Sequence, residues 1–314
     1  MDKKVGVIIV TYNRLNCLKK LLQGLAEQTY PLEKILVFDN NSSDETIDYL
    51  QSQGFNDYNL QKDVAQKLYF ANDTNLGGAG GFSKAVELAQ KLDIDNLWIM
   101  DDDVLPEPEC LAKLLAKMEE KDVQIVLPSR EDENYTDRVC LDIDLQTANK
   151  FWTTLRKTFA PHPLTEAEYS VKDMTFEGPL MTLEVSKKAG LPDQDYFIFF
   201  DDTDYAQRLL EHSEILYVTD AKLKRQLATV GVKKDGPDQS YTWRNYYMLR
   251  NNILFDKRYG KNWRTRNLSP MILMAHMLVL SKRNKHLRHN FPIIMKAWYD
   301  GIRGKRGKTV DPNY

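Results

Sequence analysis

Apolar residues fall into two rhythms along the first 130 positions. Short unbroken runs read as strands buried on both faces: VGVIIV (5–10), KILVFD (34–39), KLYFAN (67–72), NLWIMD (96–101) and VQIVLP (123–128). Between them, LNCLKKLLQGL (15–25), SSDETIDYLQSQG (42–54), GFSKAVELAQKL (81–92) and PECLAKLLAKMEE (108–120) carry helical spacing. This alternation predicts an α/β fold, a mainly parallel sheet with helices on both faces. Residues 129–173 are charged and irregular and read as an insertion. FEGPLMTLEV (176–185) and EILYV (214–218) read as further strands. DYFIFFDDTDYAQRLLEH (195–212) reads as an aromatic strand or loop feeding a helix. Beyond about residue 240 the pattern turns helical, with YTWRNYYMLRNNILFDKRYG (241–260) and PMILMAHMLVLSKR (270–283). The expected division is a sheet-bearing domain over 1–220 and a basic, mainly helical region over 221–314. There is no internal repeat.

Sheets of this kind bind ligands beyond the carboxyl ends of their strands. Four strand ends here are polar. They are Thr11-Tyr12-Asn13-Arg14, Asp39-Asn40-Asn41-Ser42, the stretch from Asn75 to Phe82, and Asp101-Asp102-Asp103. Each alone is ordinary turn and cap chemistry. Four on one sheet edge predict a binding cleft. NLGGAGGF (75–82) adds Gly77, Gly78, Gly80 and Gly81, which let backbone amides approach a ligand closely. It is neither a dinucleotide fingerprint nor a Walker loop: it follows the third strand, and no Walker lysine is present.

WIMDDDV (98–104) raises the sharper question, because adjacent carboxylates at the end of an apolar run repel one another. They become favourable when a hard divalent cation, Mg²⁺ or Mn²⁺, sits between them and an anionic ligand. Asp101-x-Asp103 offers that pattern. The competing reading is that these acids complement the dipole of the helix that follows. A second acidic group, Asp201, Asp202 and Asp204, leaves the aromatic run Phe197, Phe199, Phe200. It reads either as helix-start acids or as a general base whose apolar walls tune its pKa.

Composition narrows the class. The chain has 314 residues, 42% hydrophobic and 28% charged, as expected of a globular protein. Cys17, Cys110 and Cys140 are far apart and show no zinc spacing, which fits a reduced, cytoplasmic setting. The N-terminal apolar run is too short for a cleavable signal, and no stretch reaches the roughly 18 apolar residues of a spanning helix. The formal net charge of −2 hides an asymmetry: residues 244–308 hold 16 Lys/Arg against 2 Asp/Glu. Such a segment either presents solvated helix faces or meets an anionic surface.

Taken together, VGVIIVTYNR, VFDNNSSDET, NLGGAGGF, WIMDDDV and GLPDQDYFIFFDDTDYAQRL resemble the inverting GT-A glycosyltransferases of family 2, in the bacterial galactofuranosyl- and rhamnosyltransferase branch. The resemblance covers residues 4–220 and, more loosely, YYMLRNN (246–252). It implies a GT-A, Rossmann-like sheet with a C-terminal helical extension. It places Thr11, Tyr12, Asn13 and Arg14 near the nucleotide and its phosphates, Asp39 and Asn41 at the nucleoside, and Asn75 to Phe82 beside the donor sugar. Asp101 and Asp103 become the metal-binding DxD pair around Asp102, with Mn²⁺ or Mg²⁺ as cofactor. Asp202 matches the catalytic base, supported on the acceptor side by Phe200, Asp201 and Asp204. Phe200 stands where the branch usually has Trp, and Asp204 where Glu is common. The family also often supplies a histidine metal ligand after the last core strand. Here no histidine lies between His212 and His276, and the region reads LATVGVKKDG. Either water replaces that ligand or the metal is held differently.

The resemblance implies transfer of galactofuranose from UDP-galactofuranose, or of rhamnose from dTDP-rhamnose, to a glycan or lipid-linked acceptor. It sets the protein at the inner face of the cell membrane, with residues 244–308 toward anionic lipid or toward another copy of the chain. Nucleic acid is not an expected partner. A sugar nucleotidyltransferase is disfavoured because TYNRLN, rather than a glycine-rich basic loop, follows the first strand. A non-catalytic sugar-nucleotide-binding module is disfavoured by the acids at 201–204.

Overall fold

The computed structural model describes residues 3–130, 134–135, 138–227 and 240–312. The first half contains β1 (Val5–Thr11), α1 (Leu15–Ala26), β2 (Lys34–Asp39), α2 (Thr46–Ser52), β3 (Asn56–Asp57), α3 (Tyr58–Gln61), β4 (Lys67–Ala71), α4 (Gly77–Ala89), β5 (Asn96–Asp101), β6 (Val104–Pro106), α5 (Cys110–Lys121) and β7 (Ile125–Ser129). The second half contains β8 (Cys140–Ile143), α6 (Thr153–Arg156), β9 (Lys157–Phe159), β10 (Glu168–Val171), β11 (Leu180–Thr182), α7 (Leu183–Ala189), α8 (Asp201–Leu209), β12 (Ile215–Arg225), α9 (Trp243–Tyr259), α10 (Ser269–Arg283) and α11 (Leu287–Ile302).

The main sheet runs β10-β12-β7-β11-β5-β1-β2-β4-β3, with β6 paired to β12. Its centre is parallel: Val10 of β1 lies opposite Phe38 on one side and Asp101 on the other. That register brings the polar ends of β1, β2 and β5 to one edge. Alternation explains why the central runs are apolar throughout. Ile8, Val10, Leu36, Phe38, Leu97 and Ile99 pack on one face, beneath α4 and α8. Val7, Ile9, Ile35, Val37, Trp98 and Met100 pack on the other, beneath α1 and α5.

Departures from the expected elements have local causes. FEGPLMTLEV is not one long strand. Only Leu180–Thr182 is extended, inserted antiparallel between β5 and β7. Thr182 then caps α7, its hydroxyl accepting from Val185 N at 3.2 Å. The aromatic run 195–200 is a loop, because Phe197, Phe199 and Phe200 all have positive φ (66°, 64° and 71°). The insertion holds the β8–β9 hairpin and β10, which extends the sheet beside β12. Helix α11 escapes the apolar pattern because Pro292 interrupts HNFPII, yet it buries Ile293, Ile294 and Ala297 against α9 and α10. No helix among the described residues is long and apolar enough to cross a membrane.

Candidate active site

The polar strand ends do converge. A cleft of about 810 Å³ opens at the carboxyl edge, lined by Thr11, Tyr12, Arg14, Asn40, Asn75, Gly77, Gly78, Phe82, Asp101, Asp102, Asp201 and Asp202 among the expected segments. Asp102 is buried and turned back toward β1. It accepts from Thr11 Oγ1 at 2.8 Å and from Arg14 Nη1 at 3.0 Å. Arg14 also donates to Asp103 Oδ2 at 3.2 Å. Burial raises Asp102 to about 6, with the Arg14 charge and the Thr11 hydroxyl acting the other way. Asp101 is pushed well above the usual carboxylate range, first by burial and then by the charges of Asp102 and Asp103.

A third acid joins them from another part of the chain. Glu177 sits with Asp101 and Asp103 so that one oxygen from each lies within 4.8 Å of the others. Backbone pairing delivers it: Gly178 N donates to Ile99 O at 2.9 Å, and Trp98 Nε1 donates to Gly178 O at 2.9 Å. The lead into β11 therefore runs beside the end of β5. Arg130, at 3.0 Å, and Arg225 pair with Glu177 and offset its charge. Asp103 Oδ1 is buried and has no hydrogen-bond partner. An orphaned carboxylate oxygen among three acids suits a hard divalent cation. Glu177 is thus a third candidate ligand beside the DxD pair; residues 228–239, where the family histidine was expected, lie outside the described residues.

The nucleotide-side residues divide. Asn13 (φ 53°) leans away from the cleft onto the next loop, its Oδ1 accepting from Ser43 N at 2.7 Å. Asp39 is buried at the end of β2 and accepts from Ser42 N at 3.0 Å, leaving its Oδ1 without a partner. Asn41 is exposed and does not line the cleft, whereas its neighbour Asn40 does. Asn40 bridges two segments, accepting from Leu76 N at 2.9 Å and donating to Gly77 O at 3.0 Å. NLGGAGGF is not a free loop: α4 already begins at Gly77. Gly77 has φ 74°, and a Cβ there would stand 2.5 Å from Phe197 O. A Cβ on Gly78, on the cleft wall, would meet nothing. Gly80 and Gly81 are buried in α4, against Leu76 and against Val10 of β1, and do not line the cleft.

Asp202 opens on the cleft from the first turn of α8. Its carboxyl is held well above the ordinary range by burial, then by the charges of Asp201 and Asp173, with Lys157 opposing. Asp201 is raised to about 7, chiefly by burial. Asp204 and Phe200 do not line the cleft. Asp204 is fully buried behind the cleft, bonded to Tyr259 OH at 2.8 Å and Arg208 Nε at 3.0 Å, because its place on α8 points it toward α9. Phe200 packs on Phe255 with ring centroids 5.5 Å apart.

YYMLRNN explains how the acidic loop is held. Asn251 Nδ2 donates to Tyr196 O, Ile198 O and Phe199 O at 3.0, 2.7 and 3.0 Å. Arg250 Nη2 adds Tyr196 O at 3.0 Å. Both side chains are fully buried in α9.

Comparison with known proteins decides the family. The description "Glycosyl transferase family 2" matches residues 6–165, half of the chain. The chain belongs to glycosyl transferase family 2. The galactofuranosyltransferase GlfT1 of Mycobacterium tuberculosis is 26% identical over 215 residues, which cover 67% of this chain and 66% of that one. GlfT2 of Mycolicibacterium smegmatis is 25% identical over 210 residues, 61% of this chain but 31% of the relative. The chain therefore spans from about a third to two thirds of these relatives. Among solved structures, the mannosyltransferase PcManGT of Pyrobaculum calidifontis with GDP-Man and Mn²⁺ superposes with TM-score 0.57 at 18% identity, covering 95% of this chain and 74% of that one. GalNAc-T7 with UDP, GalNAc and Mn²⁺ gives 0.61 at 14%, covering 96% and 56%. TarS of S. aureus with UDP-GlcNAc gives 0.56 at 14%, covering 95% and 81%. At these identities the likeness establishes the GT-A fold.

Proposed function

We propose that the protein is an inverting glycosyltransferase. It moves galactofuranose from UDP-galactofuranose to a hydroxyl of a cell-surface glycan or lipid-linked precursor. The observation that carries this reading is the pairing, in one cleft, of the acid triad Asp101, Asp103 and Glu177 with a separate carboxylate, Asp202. Mn²⁺ or Mg²⁺ bound by the triad would neutralise charge on the diphosphate leaving group. Thr11 and Arg14 fix Asp102, and Arg14 places a cation at the β1 end, where the donor phosphates are expected. Gly78 offers an unobstructed wall for the donor sugar. Asp202 takes the proton of the acceptor hydroxyl as that oxygen attacks the anomeric carbon from the face opposite the leaving group. A single displacement of this kind inverts the centre, and a placed base contributes roughly 10²–10⁴-fold.

Support for the sugar comes from relatives named galactofuranosyltransferases in two mycobacterial species. Support for a site at the cytoplasmic membrane face comes from the outer side of α10. Leu268, Met271 and Val279 are exposed there, and the exposed Arg264, Lys282, Arg283, Lys285 and Arg288 lie at or just beyond the ends of that helix in sequence. The deciding experiment incubates the protein with UDP- and dTDP-sugars, with and without Mn²⁺, and measures donor hydrolysis and transfer. The expected result is metal-dependent release of UDP, greatest with UDP-galactofuranose. Asp202→Asn should abolish transfer while UDP still binds. Transfer at an unchanged rate in that variant removes the base assignment.

A further inference from the structure

Residues 303–312 follow α11 without helix or strand and hold their place only through side-chain and backbone ties. Here the last described residues return across the mouth of the cleft and are tied at several points. Gly307 N donates to Asp195 O at 2.7 Å, and Arg250 Nη1 donates to Gly307 O at 2.7 Å and to Thr309 Oγ1 at 3.0 Å. Tyr247 OH donates to Val310 O at 2.8 Å and accepts from Thr309 N at 2.9 Å. Val310 is buried in the helical core. Arg250 and Tyr247 are themselves fully buried, so the same groups that hold the Asp202 loop also depend on this strap for partners.

Between those ties stands Lys308. It is exposed, lines the cleft, and has its ammonium 5.9 Å from the centre of the Phe197 ring. It pairs with no carboxylate among the described residues. The other described cation on the lining, Arg14, is already bound to Asp102 and Asp103. Carboxylates otherwise dominate that lining: Asp101, Asp102, Glu177, Asp201, Asp202 and Asp311. Lys308 stands beside Phe197, in the aromatic run that leads into α8 and Asp202, whereas Arg14 is bonded to Asp102 and Asp103 at the end of β5. Trp243, also on the lining, gives a sugar ring a flat apolar face nearby.

We propose that the C-terminal strap builds the acceptor subsite, with Lys308 binding a phosphate, diphosphate or carboxylate borne by the acceptor glycan. This rests on the glycosyltransferase reading above and adds to it the chemical class of the acceptor. A lysine bond to an anionic oxygen is charge-assisted. Its loss raises KM for the anionic partner by about tenfold or more.

The test compares octyl galactoside with its 6-phosphate as acceptor probes, using wild type, Lys308→Met and Lys308→Glu. The wild type is expected to prefer the phosphorylated probe. Lys308→Met should raise KM for that probe about tenfold while donor KM moves less than about threefold, and Lys308→Glu should reverse the preference. A second readout does not need turnover: in lysine acetylation footprinting, the phosphorylated probe should protect Lys308 and UDP should not. A rise in donor KM, or protection by UDP, assigns the lysine to the donor diphosphate and overturns the acceptor claim. An unchanged preference with no protection by either probe also overturns it. Failure of the wild type to hydrolyse any donor counts against the transferase reading itself, and the footprint still reports on Lys308.

Discussion

Asn251→Ala tests whether α9 sets the geometry of the acidic loop. Three non-glycine residues of that loop region, Phe197, Phe199 and Phe200, have positive φ. Each such residue costs roughly 1–3 kcal/mol, so the loop carries on the order of 3–9 kcal/mol of backbone strain. Asn251 answers it with one amide serving three carbonyls, at 2.7–3.0 Å. Truncation removes those bonds, at about 0.5–1.5 kcal/mol net each, and leaves buried carbonyls unmet at about 1–3 kcal/mol apiece. Arg250 Nε also loses its acceptor, Asn251 Oδ1, at 2.8 Å. The three bonds together amount to about 1.5–4.5 kcal/mol, and the carbonyls of Ile198 and Phe199, which unlike Tyr196 O have no second donor from Arg250, add to that until the loop relaxes. Relaxation moves Asp202, and a displacement of about 1 Å costs on the order of 10²-fold in rate. Urea denaturation, single-turnover transfer and UDP calorimetry on the same preparation read the three quantities. The expected pattern is a large fall in turnover with UDP affinity nearly unchanged. Turnover within about threefold of wild type, alongside a loss of several kcal/mol in stability, refutes the reasoning: the loop would then keep its shape without the clamp.

Other outcomes follow from the same geometry. Glu177→Gln keeps shape but removes a charge from the triad, so Mn²⁺ titration of UDP binding should need about tenfold or more metal, and an unchanged requirement removes Glu177 from the ligand set. Because burial, Asp201 and Asp173 raise Asp202, and a base must be ionised to act, transfer should rise with pH through a limb above the ordinary Asp value of about 3.9; a limb at that ordinary value contradicts the assignment. Arg156 Nη2 and Asp256 Oδ2 form a fully buried pair at 2.9 Å. Arg156→Met strands the carboxylate and should cost about 3–5 kcal/mol in denaturant unfolding, much of it recovered in Arg156→Met/Asp256→Leu.

The legible parts of this molecule are those fixed by periodicity. β1, β2 and β5 are apolar without interruption because side chains on both faces are buried, and their polar ends stand out for the same reason. The acids at 101–103 and 202 are visible for what surrounds them. What the pattern hides is set by long-range pairing. Glu177 is one acid in an unremarkable stretch; only the antiparallel insertion of β11 between β5 and β7 brings it to Asp101. The signal available was Gly178-Pro179, a turn opening a strand directly after an acid. Asp204 shows the converse. Its proximity to Asp202 in sequence suggests a shared task, yet two positions along a helix turn a side chain by about 200°. Trp243 and Lys308 could not be read at all, because nothing local says that the start of α9 and the segment after α11 fold back over strand ends far earlier in the chain.

This division bears on how the site is assembled. The triad wall is built by the sheet and its register. The Asp202 wall is a strained loop that the sheet alone does not hold. Arg250 and Asn251 reach it from α9, and Arg250 and Tyr247 in turn require the strap for their own partners. Strap, helix and loop therefore share buried groups, and none of the three can shift without leaving polar atoms unmet. On the proposed reading, the donor half of the chemistry belongs to the sheet and the acceptor half to the C-terminal helices. Changes in acceptor preference should accordingly concentrate beyond Trp243, while the metal and nucleotide requirements follow residues before Leu180.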